Sequence, residues 1–250
     1  MQILGIDIGG TGIKGFPVDL ATREYLGERF RIPTPEKSTP QAICSSIQEI
    51  VDHFNWEGPI GIGFPTVIVN GKAMASGNLN KKWKGVQVDE LFQKQTGLPC
   101  TVLNDADAAG IAEMTYGVGK GMKGLVVTIT VGTGIGSGFF YDGVLVPNFE
   151  LGRIQYKKKP IEQYASNAAR KRDELDYEEW AERFNFFLSE VERMCTPNHY
   201  ILGGGISKNL DTFKHVLTTK VPIVAAKTKN YAGIIGAARA AMLNIELKER

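Results

Sequence analysis

Hydrophobic positions along the 250-residue chain follow two patterns. Short apolar runs rich in Ile and Val predict strands, and apolar residues that recur about every 3.6 positions predict helices. Predicted strands cover residues 3–8, 13–18, 25–32, 60–65, 100–103, 125–131, 136–141, 200–202 and 221–225. Predicted helices cover residues 40–54, 88–95, 106–116, 177–194, 208–217 and 231–243. Hairpins followed by alternating helices and strands indicate an α/β fold.

Two of the predicted helices carry a continuous apolar face. The face consists of Ile43, Ile47, Ile50, Val51 and Phe54 in one, and of Trp180, Phe184, Phe187, Leu188 and Val191 in the other. This spacing places the side chains on one side of each helix, so both faces are predicted to pack into a core.

One glycine-rich stretch occurs twice. The sequence IGGTGIKGF at residues 8–16 returns as VGTGIGSGF at residues 131–139 after deletion of one glycine. Each copy lies between two apolar runs, as in a β-hairpin with a tight turn. The repeat predicts a duplicated unit: an N-terminal lobe at residues 1–117, a C-terminal lobe at 118–250 and a cleft between them. The glycine-rich residues 116–124 mark the boundary, and the last helix is expected to pack back on the N-terminal lobe.

Composition and cysteine content indicate the class of protein and its cellular compartment. With 43% hydrophobic and 22% charged residues, the chain is typical of a soluble globular protein. No apolar stretch reaches the roughly 20 residues of a membrane span, and no basic leader precedes the first strand, so neither a membrane partner nor export is expected. Cys44, Cys100 and Cys195 are odd in number and scattered, which favours free thiols in the cytoplasm.

Charge is informative through its distribution. A net charge of +2 is too small to require a nucleic-acid partner. Three basic clusters nevertheless occur, at residues 81–84, 157–159 and 170–172. Each is either a solvated charged face or part of a track for an anionic substrate.

The first glycine-rich turn predicts a phosphate site. Glycines allow backbone N–H groups to surround anionic oxygens, a hydroxyl and an ammonium add donors, and the carboxylate of Asp7 can hold Mg²⁺ directly or through water. The residues predicted to bind phosphate here are Asp7, Gly9, Gly10, Thr11, Gly12 and Lys14. The alternative is a hairpin whose glycines serve geometry alone. The spacing is not that of a P-loop.

Two further glycine sets extend this prediction. Gly132, Thr133 and Gly134 repeat the first turn without a charge and form a candidate second phosphate loop. Gly204 and Gly205 follow a strand and precede a helix, where the backbone can approach a flat base or another phosphate. Such glycines equally serve bulges and close packing.

A strand that ends in Asn104 and Asp105 supplies the candidate base. The carboxyl ends of strands are the usual ligand crevice of α/β sheets. Asp105 is predicted to orient an attacking hydroxyl and accept its proton during phosphoryl transfer. The alternative is that Asp105 only caps the following helix. Asp107 is expected to be the structural carboxylate.

Two segments have the polar character of sugar-binding loops. Residues 76–80 lead to Trp83, and residues 149–153 contain Glu150 and Arg153. Carboxylates and amides suit paired sugar hydroxyls. Taken singly, each segment is more typical of a surface loop than of a ligand site.

Together these motifs resemble the ROK family of sugar kinases within the actin-like ATPase superfamily. DIGGTGIK resembles the family's first phosphate motif, TVGTGIGSG the second, VLNDADAAG the catalytic segment and LGGGIS the segment near the distal end of the donor. The resemblance implies a two-lobed, duplicated ribonuclease H-like fold with the active site in the interlobe cleft. It also implies Mg²⁺ and a homodimer.

NDADAAG, YEEWAERFN and NYAGIIGAARAA resemble the polyphosphate-using glucokinases of that family. The resemblance implies phosphoryl transfer from polyphosphate or ATP to the 6-hydroxyl of glucose, with Asp105 as base. It assigns Asn78, Asn104 and Glu150 as glucose ligands. Arg153 stands where many members have a histidine, and the cysteines of their zinc loop do not follow, so zinc is not expected. Arg153 is expected to contact a sugar hydroxyl or the phosphate chain.

Two other functions fit the same motifs. One is an ATP-dependent ROK hexokinase for another sugar, because Arg153 replaces the family histidine. The other is a non-catalytic sugar sensor, since the family includes repressors. Those repressors carry an N-terminal helix-turn-helix, whereas the first strand here is predicted to start at Ile3.

Overall fold

The computed structural model describes residues 1–22, 24–25 and 28–248. The chain forms two compact units. The first comprises Met1–Ala112 together with Tyr231–Arg250, and the second comprises Glu113–Asn230. The change from the first unit to the second therefore falls inside the helix that starts at Asp105.

The first unit contains a mixed sheet and the helices that cover it. Its strands are β1 (Gln2–Ile8), β2 (Ile13–Asp19), β3 (Glu24–Tyr25), β4 (Phe30–Ile32), β5 (Ile60–Phe64), β6 (Ile68–Val69), β7 (Lys72–Ala73) and β8 (Cys100–Asn104). Its helices are α1 (Pro40–His53), α2 (Val88–Thr96), α3 (Asp105–Tyr116), which crosses into the second unit, and α8 (Ala232–Lys248). The main sheet has the order β3-β2-β1-β5-β8, with β4 also paired to β2.

The second unit repeats this layout. Its strands are β9 (Leu125–Val131), β10 (Ile135–Tyr141), β11 (Val144–Val146), β12 (Gln155–Tyr156), β13 (Lys159–Pro160), β14 (His199–Gly203) and β15 (Ile223–Ala225). Its helices are α4 (Glu162–Ala165), α5 (Asn167–Arg172), α6 (Tyr177–Met194) and α7 (Leu210–Phe213). The main sheet has the order β11-β10-β9-β14-β15.

The two sheets share one topology. In the first sheet, β1 pairs antiparallel with β2 and parallel with β5, and β5 pairs parallel with β8. In the second sheet, β9 pairs antiparallel with β10 and parallel with β14, and β14 pairs parallel with β15. The glycine repeat forms the first turn of each sheet: four residues separate Ile8 from Ile13, and three separate Val131 from Ile135. The deletion of one glycine in the second copy therefore makes its turn one residue shorter. The predicted duplicated α/β fold is confirmed.

Apolar faces form the cores as their spacing predicted. In α1 the side chains of Ile43, Ile47 and Ile50 are fully buried, and in α6 so are those of Trp180 and Phe184. Helix α6 begins in a capping box, in which the Asp176 side chain accepts from the Glu179 N–H and the Glu179 side chain accepts from the Asp176 N–H. Each of the two side chains thus accepts from a backbone N–H that would otherwise have no partner at the start of the helix.

Helix α8 packs unusually closely on the first sheet. A side chain at Gly5 would overlap the backbone of Ile234, and one at Gly61 would overlap that of Ala237. Glycines in β1 and β5 therefore allow the small-residue helix to approach the strands directly. No helix within the described residues is both long and apolar enough to cross a membrane.

Some predicted elements differ in the structure. The predicted strand at residues 25–32 contains β3 in part and β4, while residues 26 and 27 lie outside the described residues. The predicted helix at 208–217 is wrong as one element: only Leu210–Phe213 is α-helical, between two 3₁₀ turns. Asn209 and Phe213 leave the helical backbone region, with φ angles of −111° and −127°. Ile206, Leu210 and Phe213 keep the apolar spacing and are buried, which explains the helical pattern.

Candidate active site

Two acidic residues of the first unit, Asp7 and Asp105, lie at the carboxyl ends of the parallel strands β1 and β8, on either side of β5. Asp7 in β1 is paired in register with Gly63 in β5, and Phe64 is paired with Asn104 at the end of β8. A methyl group on Gly63 would lie 3.8 Å from Oδ1 of Asp7 and 3.6 Å from the Cα atom of Asp105. The fold thus brings together two residues about a hundred positions apart in the sequence, Asp7 and Asp105.

The first glycine turn is held by hydrogen bonds from its surroundings. Within the turn, the Gly9 N–H donates to the Gly12 carbonyl over 3.0 Å. From the β4 side, Nη2 of Arg31 donates to the Thr11 carbonyl over 2.9 Å, and the Thr34 hydroxyl donates to the Gly9 carbonyl. Thr11 itself is exposed at the tip, beside Gly10. The turn is therefore a fixed feature with an exposed end.

Lys14 and Asp7 form an ion pair. Nζ of Lys14 lies 3.5 Å from Oδ2 of Asp7, and the two residues are paired in register across the hairpin. Burial raises the pKa of Asp7, while Lys14 and Arg29 act in the opposite direction. Gly233 at the start of α8 is also close, since a methyl group there would lie 3.0 Å from Oδ1 of Asp7. Part of the Lys14 charge is therefore offset before any anion arrives.

Asn78 lies next to the first turn. Its Cβ atom would be 4.0 Å from a methyl group on Gly10, and its side chain is exposed. This places a predicted sugar ligand beside a predicted phosphate ligand. Trp83 is different: it is fully buried, and its indole N–H donates to the Ser38 carbonyl over 2.8 Å. The interpretation of Trp83 as an aromatic end to a sugar-binding loop is wrong, because its ring packs on Phe64 and Phe92 in the core.

Asn104 supplies the cap of α3. Its Oδ1 accepts from the N–H groups of Ala106 and Asp107, over 2.9 and 3.1 Å. Asp105 is partly exposed, and its Oδ1 accepts from the Ala106 N–H over 2.8 Å. The capping role therefore belongs mainly to Asn104, and Asn104 has its amide N–H₂ group to offer a ligand. Asp107 is 1% exposed, as expected of a structural carboxylate.

The second glycine turn rests on a carboxylate that the sequence did not suggest. The Gly132 N–H donates to the Gly134 carbonyl over 3.0 Å, which matches the first turn. Oε2 of Glu162 accepts from the Ile135 N–H over 3.1 Å and lies against Gly134. Thr133 is exposed at the tip, as Thr11 is in the first turn. No motif signals Glu162, which comes 27 residues after the amide it holds.

The third glycine set lies beside the second turn. Gly203 is paired in register with Thr130, so Gly204 follows β14 next to the end of β9. Gly204 has a φ of +78°, and a side chain there would overlap the backbone of Val131. Only glycine meets both conditions at this position. Gly205 is exposed, with open space around its Cα atom.

Glu150 and Arg153 form a second ion pair. Nε of Arg153 lies 2.8 Å from Oε2 of Glu150. Burial raises the pKa of Glu150, Arg153 lowers it, and the nearby Glu162 raises it further. Buried Ser137 fixes this segment on both sides: its hydroxyl donates to the Phe149 carbonyl over 2.7 Å and accepts from the Leu151 N–H over 3.1 Å. Ser137 belongs to the second glycine motif, but its role was not predicted.

The three basic clusters differ in the structure. In the cluster at 170–172, Arg170 donates to Asn167 and to the Leu175 carbonyl, and Arg172 pairs with Asp173. These two arginines serve the local fold. The lysines at 157–159 are exposed on the β12–β13 hairpin, and those at 81–84 are exposed after the Asn78 loop.

The predicted site residues fall into two groups, one in each unit. Asp7, Gly9, Gly10, Thr11, Gly12, Lys14, Asn78, Asn104 and Asp105 belong to the first unit. Gly132, Thr133, Gly134, Glu150, Arg153, Gly204 and Gly205 belong to the second. Within each unit the residues gather at one glycine turn and the adjacent strand ends.

Two sheets of one topology, each opened by a glycine turn, define the class of actin-like sugar kinases. The chain belongs to the ROK family, whose profile matches residues 3–147. The polyphosphate glucokinase of Mycobacterium tuberculosis is 41% identical over 239 residues, covering 95% of this chain and 90% of that protein. A second relative, the polyphosphate glucokinase of Mycobacterium leprae, is 38% identical over 96% of this chain and 75% of its own.

Solved structures agree with these relatives. The inorganic polyphosphate/ATP-glucomannokinase from Arthrobacter sp. strain KM matches with a TM-score of 0.91 at 43% identity, over 97% of this chain and 99% of that one. The ROK family glucokinase from Streptomyces griseus, solved with glucose and AMPPNP, matches with a TM-score of 0.83 at 23% identity, over 97% of this chain and all of that one. At that identity the second match shows the fold alone. The predicted family membership is confirmed.

Proposed function

We propose that the protein is a glucokinase that transfers the terminal phosphoryl group of inorganic polyphosphate or ATP to the 6-hydroxyl of glucose. The observation that carries the proposal is the position of Asp105 beside Gly63, with Asp7 and the first glycine turn on the adjoining strand. Phosphoryl transfer needs a carboxylate near the attacking hydroxyl and a cradle for phosphate oxygens. The identity to polyphosphate glucokinases supports the choice of donor and sugar.

Asp105 acts as the general base. Its carboxylate accepts the proton of the 6-hydroxyl while the hydroxyl oxygen attacks the terminal phosphorus, and the bond from that phosphorus to the bridging oxygen breaks. The products are glucose 6-phosphate and a donor shorter by one phosphate.

The glycine turns bind the phosphates of the donor. In the first unit the exposed tip at Gly10 and Thr11 offers backbone N–H groups and a hydroxyl, and Lys14 adds positive charge. In the second unit the tip at Thr133 and the backbone at Gly204 and Gly205 serve the same purpose. The hydrogen bonds beneath each turn keep these groups oriented before the donor binds.

Asp7 would hold Mg²⁺, directly or through water. Within the described residues, no group of three or more His, Cys, Asp or Glu forms a metal site made of protein alone. Mg²⁺ in kinases is commonly held by one or two carboxylates together with substrate phosphates, and the single carboxylate of Asp7 beside the phosphate turn fits that mode. When bound, the ion neutralises charge on the donor phosphates.

Glucose is held by amides and a carboxylate. The proposed glucose ligands are the exposed Asn78, the Asn104 N–H₂ group and the Glu150 carboxylate. Arg153 supports Glu150 through their ion pair and can also donate to a hydroxyl. We further propose that the protein is a cytoplasmic homodimer that needs no nucleic-acid or membrane partner. Light scattering of the purified protein tests whether it is a dimer.

One observation favours a broader sugar range. Arg153 takes the place of the family histidine, and the similar Arthrobacter protein is named a glucomannokinase. Mannose is therefore the second candidate acceptor, to be tested beside glucose and amino sugars in one panel. A sugar-sensing role without catalysis would give no sugar phosphate with any member of the panel.

A donor competition tests the proposal. The protein is incubated with glucose and Mg²⁺, and with polyphosphates of increasing length or with ATP, and glucose 6-phosphate is measured. Formation with polyphosphate, and a kcat/KM that rises with chain length, is the expected result. No product from any donor would overturn the proposal, and activity with ATP alone would reject polyphosphate as the donor.

A further inference from the structure

Arg31 is a cation at the first glycine turn that the sequence motifs do not include. It is exposed on β4 and is paired in register with Lys14 on β2. Its Nη2 donates to the Thr11 carbonyl over 2.9 Å. Its guanidinium also lies against Gly12, where a methyl group would be 2.6 Å from Nε and 2.9 Å from Cζ. The side chain is therefore fixed along the turn rather than extended into solvent.

Arg31 has no carboxylate partner among the side chains that the structure describes. Lys14, on the adjacent strand, lies 3.5 Å from the Asp7 carboxylate. By contrast, no carboxylate among the described side chains comes within 4.0 Å of a guanidinium nitrogen of Arg31. Of these two cations at the turn, Arg31 thus keeps its full charge for a ligand.

We propose that Arg31 binds the phosphate chain of the donor at the first glycine turn. The inference rests on the proposed function, in which that turn receives a polyphosphate or ATP. A guanidinium has five N–H donors, and the Thr11 carbonyl uses one of them. The remaining donors form a planar fork that matches two phosphate oxygens. Gly12 has no side chain, which leaves the guanidinium room to lie against the backbone of the turn.

The contribution of Arg31 is larger for polyphosphate than for ATP. Polyphosphate has neither a base nor a ribose, so its affinity depends on charge and on hydrogen bonds to its oxygens. ATP gains part of its affinity from its nucleoside. Loss of one charge-assisted contact therefore removes a larger share of the recognition of polyphosphate.

Four variants separate binding from support of the turn. Arg31→Gln removes the charge, and Arg31→Lys keeps it without the planar fork. Thr34→Val removes another hydrogen bond to the turn, the one to the Gly9 carbonyl, without changing charge. Arg193→Gln removes an exposed arginine from the end of α6 in the second unit, and serves as a control for net charge. A thermal melt of each variant shows whether it is folded.

The measurement is the dissociation constant of inorganic tripolyphosphate by calorimetry, without glucose, followed by kcat/KM for polyphosphate and for ATP. Arg31→Gln is expected to weaken tripolyphosphate binding about 10- to 100-fold, as for loss of a charge-assisted hydrogen bond. Arg31→Lys should lose less than Arg31→Gln, Thr34→Val less than either, and Arg193→Gln less than about twofold. The loss in kcat/KM should be greater with polyphosphate than with ATP.

Three results would overturn the assignment: wild-type affinity in Arg31→Gln, a loss in Thr34→Val as large as in Arg31→Gln, or a larger loss in Arg31→Lys than in Arg31→Gln. If Arg31→Gln does not fold, the losses of tripolyphosphate binding in Arg31→Lys and Thr34→Val are compared. A loss in Arg31→Lys no larger than that in Thr34→Val would then overturn the assignment. Failure of the proposed function is recognised separately, since the wild type would then form no glucose 6-phosphate while the binding titration still reports on Arg31.

Discussion

Asp7 and Asp105 lie on either side of Gly63, close enough that a single methyl group on this glycine would contact both residues. The strand order explains the arrangement, because β5 is the neighbour of both β1 and β8. In the proposed reaction, Asp7 lies on the side of the donor phosphates and Asp105 on the side of the acceptor hydroxyl. A methyl group at position 63 would occupy the space between Asp7 and Asp105.

Gly63→Ala is predicted to reduce activity without unfolding the protein. The nearest atoms to the new methyl group would be 3.6 Å away, an ordinary contact distance. The free energy of unfolding should change by less than about 1 kcal/mol, since loss of glycine also restricts the unfolded chain. Activity should fall at least about tenfold, because small displacements of reacting groups have large effects on rate. Chemical denaturation and kcat measure the two effects.

Gly61→Ala is the matched control for that substitution. It lies two residues earlier in the same strand, where a methyl group would overlap the backbone of Ala237 in α8. A loss of about 1–3 kcal/mol of stability is expected from this overpacking. Equal stability losses in the two variants, or full activity in Gly63→Ala, would contradict the account of position 63.

The pKa of Glu150 predicts the acidic side of the activity profile. Burial raises this pKa above its ordinary value, so the carboxylate takes up a proton at a higher pH than an exposed glutamate does. In the proposed sugar site Glu150 accepts hydrogen bonds when ionised, so kcat/KM for glucose should fall as the pH drops through the raised pKa. Arg153 lowers this pKa, and Arg153→Ala should therefore move the fall to higher pH.

Glu150→Gln provides the control for the pH profile. It cannot ionise, so the acidic fall assigned to Glu150 should disappear even though activity is lower throughout. An unchanged profile in Glu150→Gln, or a shift to lower pH in Arg153→Ala, would show that another group controls this side of the profile.

Replacement of the two lysines in the β12–β13 turn is predicted to stabilise the protein but to weaken its use of long polyphosphates. Lys157 and Lys158 form the two-residue turn between β12 and β13, and both have positive φ angles, 47° and 66°. Asn and Gly suit such a turn much better than Lys. The double variant Lys157→Asn, Lys158→Gly should therefore gain up to about 1 kcal/mol of stability. Without the two charges, kcat/KM for long polyphosphate should fall several-fold, while tripolyphosphate and ATP should be unaffected.

Lys171→Gln tests whether any exposed lysine of the second unit has the same effect. It lies on α5, outside the hairpin, and is exposed. If its loss changes chain-length dependence as much as loss of the hairpin lysines, or if the hairpin variant retains full use of long chains, then the hairpin is only a solvated charged surface.

The duplicated fold could be predicted from local patterns, because apolar spacing and turn glycines are properties of short segments. The same holds for Asp105 and Asn104, which end one apolar run. Arg31, Ser137 and Glu162 could not be found in this way. Each acts on backbone groups 12 to 27 residues away, and pairing of distant strands and turns decides which side chain reaches them.

Trp83 shows the opposite error. The polar segment before it suggested a sugar-binding loop that ends in its ring, whereas the 3₁₀ turn at Lys81–Trp83 points the ring into the core and leaves the lysines in solvent. One turn of helix separates the two environments, and an isolated aromatic residue gives no periodicity from which burial can be inferred.

The role of Asp105 is tested most directly by the turnover of Asp105→Asn with glucose, Mg²⁺ and polyphosphate. Asparagine keeps an oxygen that can accept from the Ala106 N–H, so the melting temperature should stay near that of the wild type. Loss of the general base should lower kcat by about 10²- to 10⁴-fold, with a smaller effect on the binding of tripolyphosphate. A folded Asp105→Asn protein that forms glucose 6-phosphate at the wild-type rate would contradict the role of Asp105 as general base.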